Sequence, residues 1–382
     1  MKVLVAGAGI IGNFVAASLI DRGLDVEMVD EQPRPFLGSS YAAFGSLTPF
    51  SDPFFRGDAR RFAAKSVEMY RQSWIPALNR IPDVSVDLHD EGLIQLCSTS
   101  EEFSQYEAHI EDLTSSGYLA RVLSRQEVLK LEPALAGKYE CGIWLDEPWL
   151  DRDALYRALI AFLTASSRFR TLFNTRLRSV EIDNNNVASA IFESGERASY
   201  DFVVLATGVN TSNELCNLPL SWVRGDCVLV TTSNDIPLLR RHVYMHEGFI
   251  TPRQTGQMLL GATYVAEARD GPEAYAREHR DQIKVPQLLA LLQNNLAIVP
   301  GLGDCDVIRT WRGWRPTLPD NMPILGPSPL SSRLIVANGF IGLGLTMAPG
   351  VGDAIARYIL DGDRSGFPIT FSAERFSGDS LE

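Results

Sequence analysis

The first thirty residues constrain the fold more than any other part of the chain. An apolar, β-branched run at 2–6 precedes Gly7, Gly9 and Gly12, which fall at the spacing G-x-G-x-x-G; a helical pattern and a second apolar run follow. Strand, glycine turn, helix and strand in this order form the βαβ dinucleotide-binding fingerprint. Gly7 permits a tight turn, Gly9 lets the backbone approach a pyrophosphate, and Gly12 lets helix and strand pack closely. Asp30, at the end of the second strand, is predicted to accept a hydrogen bond from a ribose hydroxyl.

Later segments decide which dinucleotide is expected. Residues 200–208 read YDFVVLATG, a buried strand that ends in small residues, and 334–360 read as strand, glycine-rich turn and helix. The loop 38–53 is rich in glycine and hydroxyl residues, which suits a backbone that passes close to a flat buried ligand. A helix predicted to start near Pro349 and Gly350 would direct its positive end at the negative charge of a reduced flavin. Together these segments predict a two-dinucleotide-binding-motif flavoprotein.

The composition indicates an ordinary globular protein and argues against several classes. The 382 residues suffice for two domains, and 35 Lys and Arg against 47 Asp and Glu give a net charge of −12, which argues against nucleic acid as a partner. Five cysteines without a C-x-x-C pair predict reduced thiols. No metal site is expected, because only His242 and His246 are closely spaced and they fall in a predicted strand. Without a transmembrane-length apolar stretch or a signal peptide, the sequence predicts a cytoplasmic protein.

The pattern of predicted elements divides the chain into two discontinuous domains. Short strands dominate 84–145 and 220–308, which are predicted to form a β-rich, α+β substrate domain. The remaining parts, 1–83, 146–219 and 309–382, are predicted to form an α/β nucleotide-binding domain of the Rossmann type around the fingerprint.

Seven segments resemble, in order and spacing, the FAD-dependent D-amino acid oxidase superfamily, and together they span nearly the whole chain. The resemblance is closest to the bacterial D-amino acid dehydrogenases, with glycine oxidase as a neighbour. The chain departs from these relatives at Phe340, where the dehydrogenases commonly have a histidine, and at Phe249, where the oxidases often have a tyrosine. The matching segments are VLVAGAGIIG, SSYAAFGSLTP, EGLIQLCSTSEEF, RVLSRQEVLKLEPAL, VVLATG, WRGWRPTLPDNMPILG and GLGLTMAPGVG.

The resemblance implies a non-covalent FAD site built from both glycine-rich segments. The first glycine loop would line the pyrophosphate, Asp30 would hold the adenosine ribose, and the backbone of Leu177 would contact adenine. The loop after the first βαβ unit, the A-T-G strand end and the last glycine turn would lie against the flavin. The residues implied to bind FAD are Gly7, Gly9, Ile11, Gly12, Asp30, Ser39, Ser40, Ala42, Ala43, Phe44, Gly45, Leu177, Ala206, Thr207, Gly208, Gly342, Leu343, Gly344, Leu345 and Thr346.

The resemblance also implies oxidation of the C–N bond of a D-amino acid, glycine or a secondary amino acid. The Cα hydrogen would leave as a hydride to flavin N5, and the imine would hydrolyse to a keto acid and ammonia or an amine. Arg315, in G-W-R-P, matches the arginine that binds the substrate carboxylate, and Tyr244 and His246 lie near the family's active-site tyrosine. A guanidinium suits a bidentate carboxylate, although a structural ion pair is the alternative role for Arg315. The flanking Trp311 and Trp314 favour a rigid, buried anchor.

Two other functions fit parts of the same pattern. The chain could be the FAD-binding subunit of a hetero-oligomeric opine- or hydroxyproline-type dehydrogenase. It could also be a nicotinamide-dependent dehydrogenase, against which the A-T-G strand and the last glycine turn both count. The expected electron acceptor is a quinone or oxygen, and a quinone would be consistent with peripheral contact at the inner membrane or with partner subunits.

Overall fold

The computed structural model describes residues 1–52, 55–137, 139–183, 188–211, 218–245, 248–253, 255–267 and 282–376. The strands, in chain order, are β1 Lys2–Ala6, β2 Asp25–Val29, β3 Leu88–His89, β4 Leu93–Cys97, β5 Ala120–Ser124, β6 Cys141–Leu145, β7 Trp149–Leu150, β8 Phe169–Leu172, β9 Leu177–Ile182, β10 Ala188–Phe192, β11 Arg197–Tyr200, β12 Phe202–Leu205, β13 Ser221–Thr231, β14 His242–Met245, β15 Gly248–Pro252, β16 Gln257–Gly261, β17 Val265–Glu267, β18 Asp306–Thr317, β19 Ile324–Ser328 and β20 Ser331–Asn338. The α-helices are α1 Ile10–Asp21, α2 Gly57–Met69, α3 Ile75–Leu78, α4 Ser100–Ser115, α5 Arg125–Leu131, α6 Arg152–Thr164, α7 Val285–Ile298 and α8 Gly344–Asp361.

The predicted nucleotide-binding sheet is present, with β1 near its centre. Its six strands follow the order β19-β20-β12-β1-β2-β8, all parallel except β19. Val3 and Val5 of β1 pack in the cluster that contains α1, α6 and α8, whereas Leu4 and Ala6 pack against the antiparallel sheet of β9, β10 and β11. Because both faces of β1 are buried, its sequence is a continuous apolar run rather than an alternating one. The predicted α/β, Rossmann-type class is confirmed.

Helix α8 begins at Gly344, so the predicted start near Pro349 and Gly350 was wrong. Proline has no N–H, and within a helix it deprives the carbonyl four residues earlier of its partner. For Pro349 this carbonyl belongs to Leu345, and it accepts a hydrogen bond from the hydroxyl of Tyr70 at 2.8 Å. The neighbouring N–H of Gly350 donates to Ser66 Oγ at 2.9 Å. Ser66 in α2 and Tyr70 directly after it thus compensate for the proline, and the helix extends back to the last glycine turn.

The second large sheet has nine strands, most of which come from the segments predicted to form the substrate domain. Its order is β17-β13-β16-β15-β14-β4-β6-β5, with β18 beside β13, and its pairs are antiparallel except for β14 with β4. The register places Arg315 opposite Val223 and Gly313 opposite Gly225. Because β18 pairs with β13 along its length, residues 309–317 lie in this sheet, beyond the predicted boundary at 308. Among the described helices, none combines the length and apolar composition that crossing a membrane requires.

Candidate active site

The first glycine loop is packed so tightly that side chains are excluded at two of its positions. Gly7 has φ +105°, and a Cβ there would lie 2.2 Å from the carbonyl oxygen of Ala206. A Cβ on Gly12 would lie 1.9 Å from the carbonyl oxygen of Gly7. Gly9 precedes α1, whose first turn contains no acidic residue to neutralise the positive helix end. The loop therefore brings bare backbone and a positive helix end to the cleft, as an anion site at a helix N-terminus requires, while the N–H groups of Ala8 and Ile10 donate to Asp30 Oδ2 and Ser40 Oγ.

Asp30 lies at the end of β2 and faces the same cleft. Its Oδ2 accepts a hydrogen bond from the backbone N–H of Ala8 at 2.6 Å, and its Oδ1 accepts one from the N–H of Gln32 at 2.8 Å. Burial raises the pKa of this carboxyl, and the two backbone N–H groups oppose part of the rise. Leu177 lies with Asp30 and Arg176 around a hollow of about 40 Å³ that adjoins the glycine loop.

One cleft of about 450 Å³ runs between the two large sheets and collects most of the predicted residues. Its walls come from the first glycine loop, the loop after β2, the end of β12, the turn before α8 and strands of the nine-stranded sheet. The predicted residues that line it are Gly7, Gly9, Ile11, Asp30, Ser39, Ser40, Ala42, Ala43, Phe44, Ala206, Thr207, Gly208, Tyr244, Arg315, Gly342, Leu343, Gly344 and Leu345.

Three predicted residues take supporting positions instead of lining this cleft. Gly12 faces Gly7 at the start of α1, as the close helix–strand packing of the motif requires. Gly45 has φ +100°, and a Cβ there would lie 2.1 Å from the carbonyl oxygen of Leu150. Thr346 is buried, and its hydroxyl accepts a hydrogen bond from the N–H of Thr48 at 3.0 Å. His246 lies outside the described residues.

A hydroxyl and imidazole cluster, which the sequence did not predict, supports Tyr244. Ser46 Oγ lies 3.1 Å from His242 Nδ1, which lies 3.0 Å from Thr251 Oγ1. Burial lowers the pKa of His242 to about 3, so its imidazole is neutral at physiological pH. Burial raises the pKa of Tyr244, and hydrogen bonding with the Ser46 and Thr48 side chains opposes part of that rise. Tyr244 is therefore a protonated phenol at the wall of the cleft.

Arg315 is half-buried and borders the cleft from β18. Its Nη1 is buried and has no hydrogen-bond partner among the residues that the structure describes. An unpaired buried guanidinium is unfavourable, so this nitrogen suits an anionic ligand in the cleft. The alternative of a structural ion pair finds no support, because no carboxylate of the described chain lies within ion-pair distance of Arg315.

Further residues line the cleft, and among them Gly225, Cys227 and Asn338 had no sequence signal of their own. Asn338, at the end of β20, donates from Nδ2 to the carbonyl oxygen of Gly208 at 3.0 Å and so ties the A-T-G segment to the last glycine turn. An isolated asparagine or cysteine has no diagnostic pattern, and only the sheet pairings bring these residues together. The additional lining residues are Ile10, Gln32, Gly38, Ser46, Thr48, Ser51, Asp52, Val209, Asn210, Gly225, Cys227, Phe249, Ala262, Thr263, Tyr264, Gly313, Trp314, Pro316, Ala337, Asn338, Phe340 and Ile341.

The cleft fits FAD on the chemistry of its residues. Ser39 lines it with a buried Oγ that has no partner in the described part of the chain, which suits a phosphate or hydroxyl of a ligand. Asp30 offers carboxylate oxygens for a ribose, and the turn before α8 brings a second positive helix end to the cleft.

Comparison with known proteins decides the family. The model of the DAO family, described as FAD dependent oxidoreductase, matches residues 2–358. The chain belongs to this family of FAD-dependent oxidoreductases. It is 25% identical over 368 residues to the glycine oxidase of Geobacillus kaustophilus, covering 93% of this chain and 91% of that protein. It is 24% identical over 417 residues to the D-amino acid dehydrogenase of Rhodopseudomonas palustris, with 96% and 94% covered.

The fold agrees with this assignment. The crystal structure of glycine oxidase from Geobacillus kaustophilus superposes with a TM-score of 0.87 at 24% identity, over 97% of this chain and 98% of that one. The predicted superfamily, its FAD cofactor and its oxidoreductase class are therefore confirmed.

Proposed function

We propose that the protein oxidises the C–N bond of an α-amino acid, with Arg315 as the anchor of the substrate carboxylate. The observation that carries this proposal is the buried Nη1 of Arg315 at the wall of the cleft, which has no hydrogen-bond partner among the described residues. A guanidinium fork binds a carboxylate through two parallel, charge-assisted hydrogen bonds. The similarity to proteins named glycine oxidase and D-amino acid dehydrogenase supports the same substrate class.

Aromatic side chains make the reaction chamber apolar beside the anchor. The ring centroids of Phe44 and Phe249 are 4.3 Å apart, and those of Tyr244 and Phe249 are 4.9 Å apart. An apolar wall strengthens the ion pair between Arg315 and a carboxylate, because it lowers the local dielectric. It also disfavours the charged ammonium form, so the bound amine is neutral, as oxidation at Cα requires. The protonated hydroxyl of Tyr244 is available to hydrogen-bond the amino group.

The residues proposed to hold FAD are the loop glycines 7 and 9, Asp30, the loop 39–44, the segment 206–208 and the turn 342–345. Bound there, FAD supplies the acceptor for the hydride that leaves the substrate Cα. Holding Cα in one orientation relative to this acceptor is the main catalytic contribution of Arg315 and the aromatic wall. The imine product is released to water, which hydrolyses it to a keto acid and ammonia or an amine.

The electron acceptor is proposed to be a quinone. The similarity to a protein named D-amino acid dehydrogenase supports this choice. Peroxide formed in equal amount with the keto acid, in air and without a dye, would instead identify oxygen as the acceptor.

Matched pairs of ligands test the proposed function. Under anaerobic conditions, FAD-loaded protein is mixed with an amino acid and, separately, with the amine that lacks only its carboxylate. The pairs are glycine and methylamine, D-alanine and ethylamine, and D-proline and pyrrolidine. We expect the oxidised-flavin absorbance to be lost with at least one amino acid and retained with its matched amine. Equal bleaching by both members of each pair would contradict the role of the carboxylate. Failure of every amino acid to bleach the flavin would favour a partner-dependent dehydrogenase subunit.

A further inference from the structure

The guanidinium of Arg315 lies over the backbone of a glycine in the neighbouring strand. Arg315 is opposite Val223 in the register, and Gly225 is opposite Gly313, so the arginine side chain runs diagonally across the strand pair towards Gly225. A Cβ built on Gly225 would lie 2.6 Å from both Nη1 and Nη2 of Arg315 and 2.8 Å from its Cζ. Contacts this short do not occur, so any side chain at 225 would displace the guanidinium.

The backbone itself does not require glycine at this position. Gly225 is a paired residue inside β13, and it is absent from the residues of positive φ among those the structure describes. Any L-residue could adopt its conformation, and a glycine inside a strand weakens that strand. The requirement therefore comes from the side chain that lies against it.

We infer that Gly225 is a positioning residue that sets where the substrate carboxylate binds, an inference that rests on the proposed function. With no Cβ at 225, the planar guanidinium can lie flat on β13 with its Nη1 buried. A methyl group there would lift the fork towards the centre of the cleft and move the bound carboxylate with it. The distance between anchor and cofactor is thus fixed by a residue that need not itself touch the substrate.

The cross-strand partner of Gly225 provides a matched control. Gly313 faces the loop 39–44, which is proposed to hold FAD, because a Cβ on Gly313 would lie 2.2 Å from the Cβ of Ala42. Both glycines line the cleft on the same strand pair. Gly313→Ala should therefore disturb the loop proposed to hold FAD, whereas Gly225→Ala should disturb the carboxylate anchor.

The test compares Gly225→Ala, Gly313→Ala, Arg315→Leu and the double variant Gly225→Ala/Arg315→Leu, all loaded with FAD. Titration with FAD gives cofactor affinity, and titration with acetate, followed by the flavin absorbance, gives the affinity for a carboxylate independently of turnover. We expect Gly225→Ala to weaken acetate binding and raise KM for the amino acid by about tenfold or more, with a smaller change in kcat and unchanged FAD affinity. In the Arg315→Leu background the same change should have no further effect, because the group it displaces is gone.

Each result has a defined meaning. The inference is overturned if Gly225→Ala loses as much FAD affinity as Gly313→Ala does. It is also overturned if the double variant binds acetate more weakly than Arg315→Leu by the full factor that Gly225→Ala causes alone. If Gly225→Ala alone fails to fold, recovery of folding in the double variant supports the inference, and continued failure overturns it. An Arg315→Leu variant with unchanged acetate affinity would reject the proposed function itself. If Arg315→Leu weakens acetate binding and Gly225→Ala does not, only the role of Gly225 is rejected and the proposed function stands.

Discussion

The carboxylate of Asp30 accepts a 2.6 Å hydrogen bond from the backbone N–H of Ala8, across the first glycine loop. This contact joins the end of β2 to the loop between β1 and α1. The same side chain also accepts from Gln32, so its position is fixed from two sides. A carboxylate held in this way is preorganised for a further hydrogen bond from a ligand hydroxyl, which is the role predicted for Asp30.

Asp30→Ala is expected to weaken FAD binding by about 10- to 100-fold, since a hydrogen bond to a charged group contributes roughly 1.5–3 kcal/mol. Fluorescence titration of the apoprotein with FAD measures the change. Asp25→Ala, at the exposed start of β2, is the control, because Asp25 forms an exposed ion pair with Arg168 at 3.0 Å and does not line the cleft. Equal FAD affinities in both variants would show that Asp30 merely caps the strand.

FAD should be released by acid precipitation, because the cleft offers a poor nucleophile for covalent attachment. Cys227 lines the cleft, and burial raises the pKa of its thiol to about 12. The thiolate, which is the reactive form, is therefore scarce at neutral pH. The yellow colour should appear in the supernatant after precipitation and centrifugation. Colour retained in the protein pellet would contradict non-covalent binding.

Tyr244→Phe should lower kcat/KM for the amino acid several-fold, at most about tenfold, as expected for one neutral hydrogen bond. FAD affinity should not change. Because burial raises the pKa of Tyr244, its hydroxyl stays protonated, and the variant should keep the alkaline limb of the pH–rate profile. Tyr139→Phe is the matched control, since the Tyr139 hydroxyl has no partner in the described structure. A shifted alkaline limb in Tyr244→Phe alone would show that Tyr244 acts as an acid or base.

Glu147 should make the protein less stable as the pH rises from about 5 to 8. Its carboxyl is fully buried and accepts hydrogen bonds from the N–H groups of Phe50 and Ser51, and burial raises its pKa from 4.5 to about 8. Between these values the folded protein holds a proton that the unfolded chain releases. The free energy of unfolding therefore falls through this window, by at most about 1.4 kcal/mol per pH unit.

Glu147→Gln removes this proton while keeping an oxygen for the two backbone N–H groups. The difference in unfolding free energy between variant and wild type, from urea denaturation at pH 5, 6.5 and 8, should move in favour of the variant as the pH rises. Other titrating groups cancel in this difference. A difference that is constant across the three pH values would mean that Glu147 is ionised in the folded state.

The nucleotide-binding half could be predicted from sequence because its requirements are local. Gly7 and Gly12 have no room for a side chain, and β1 is buried on both faces, so the motif and the apolar run both appear in the primary sequence. Most of the residues implied for FAD accordingly line one cleft. The start of α8 was the exception, because a distant hydroxyl, from Tyr70, satisfies the carbonyl that Pro349 leaves without a partner.

The nine-stranded half could not be predicted to the same depth, because its side of the cleft depends on register between distant strands. Gly313 and Pro316 are unusual inside a strand, so the pattern gave no sign that β18 continues to Thr317 beside β13. The domain limits and the cofactor and catalytic roles of the individual residues remain predictions. Gly225 shows the limit most clearly, because nothing around it in sequence indicates that an arginine ninety positions later lies upon it.

The rate of flavin reduction in wild type and Arg315→Leu, measured anaerobically by stopped flow, tests most directly whether Arg315 anchors the substrate carboxylate. The substrates are the amino acid that bleaches the wild type and its matched amine without a carboxylate. We predict that Arg315→Leu lowers the second-order rate constant for the amino acid by about 100-fold or more, while the FAD spectrum and the rate with the matched amine change little. An equal fall for both substrates would make Arg315 a structural residue and contradict the proposed anchor.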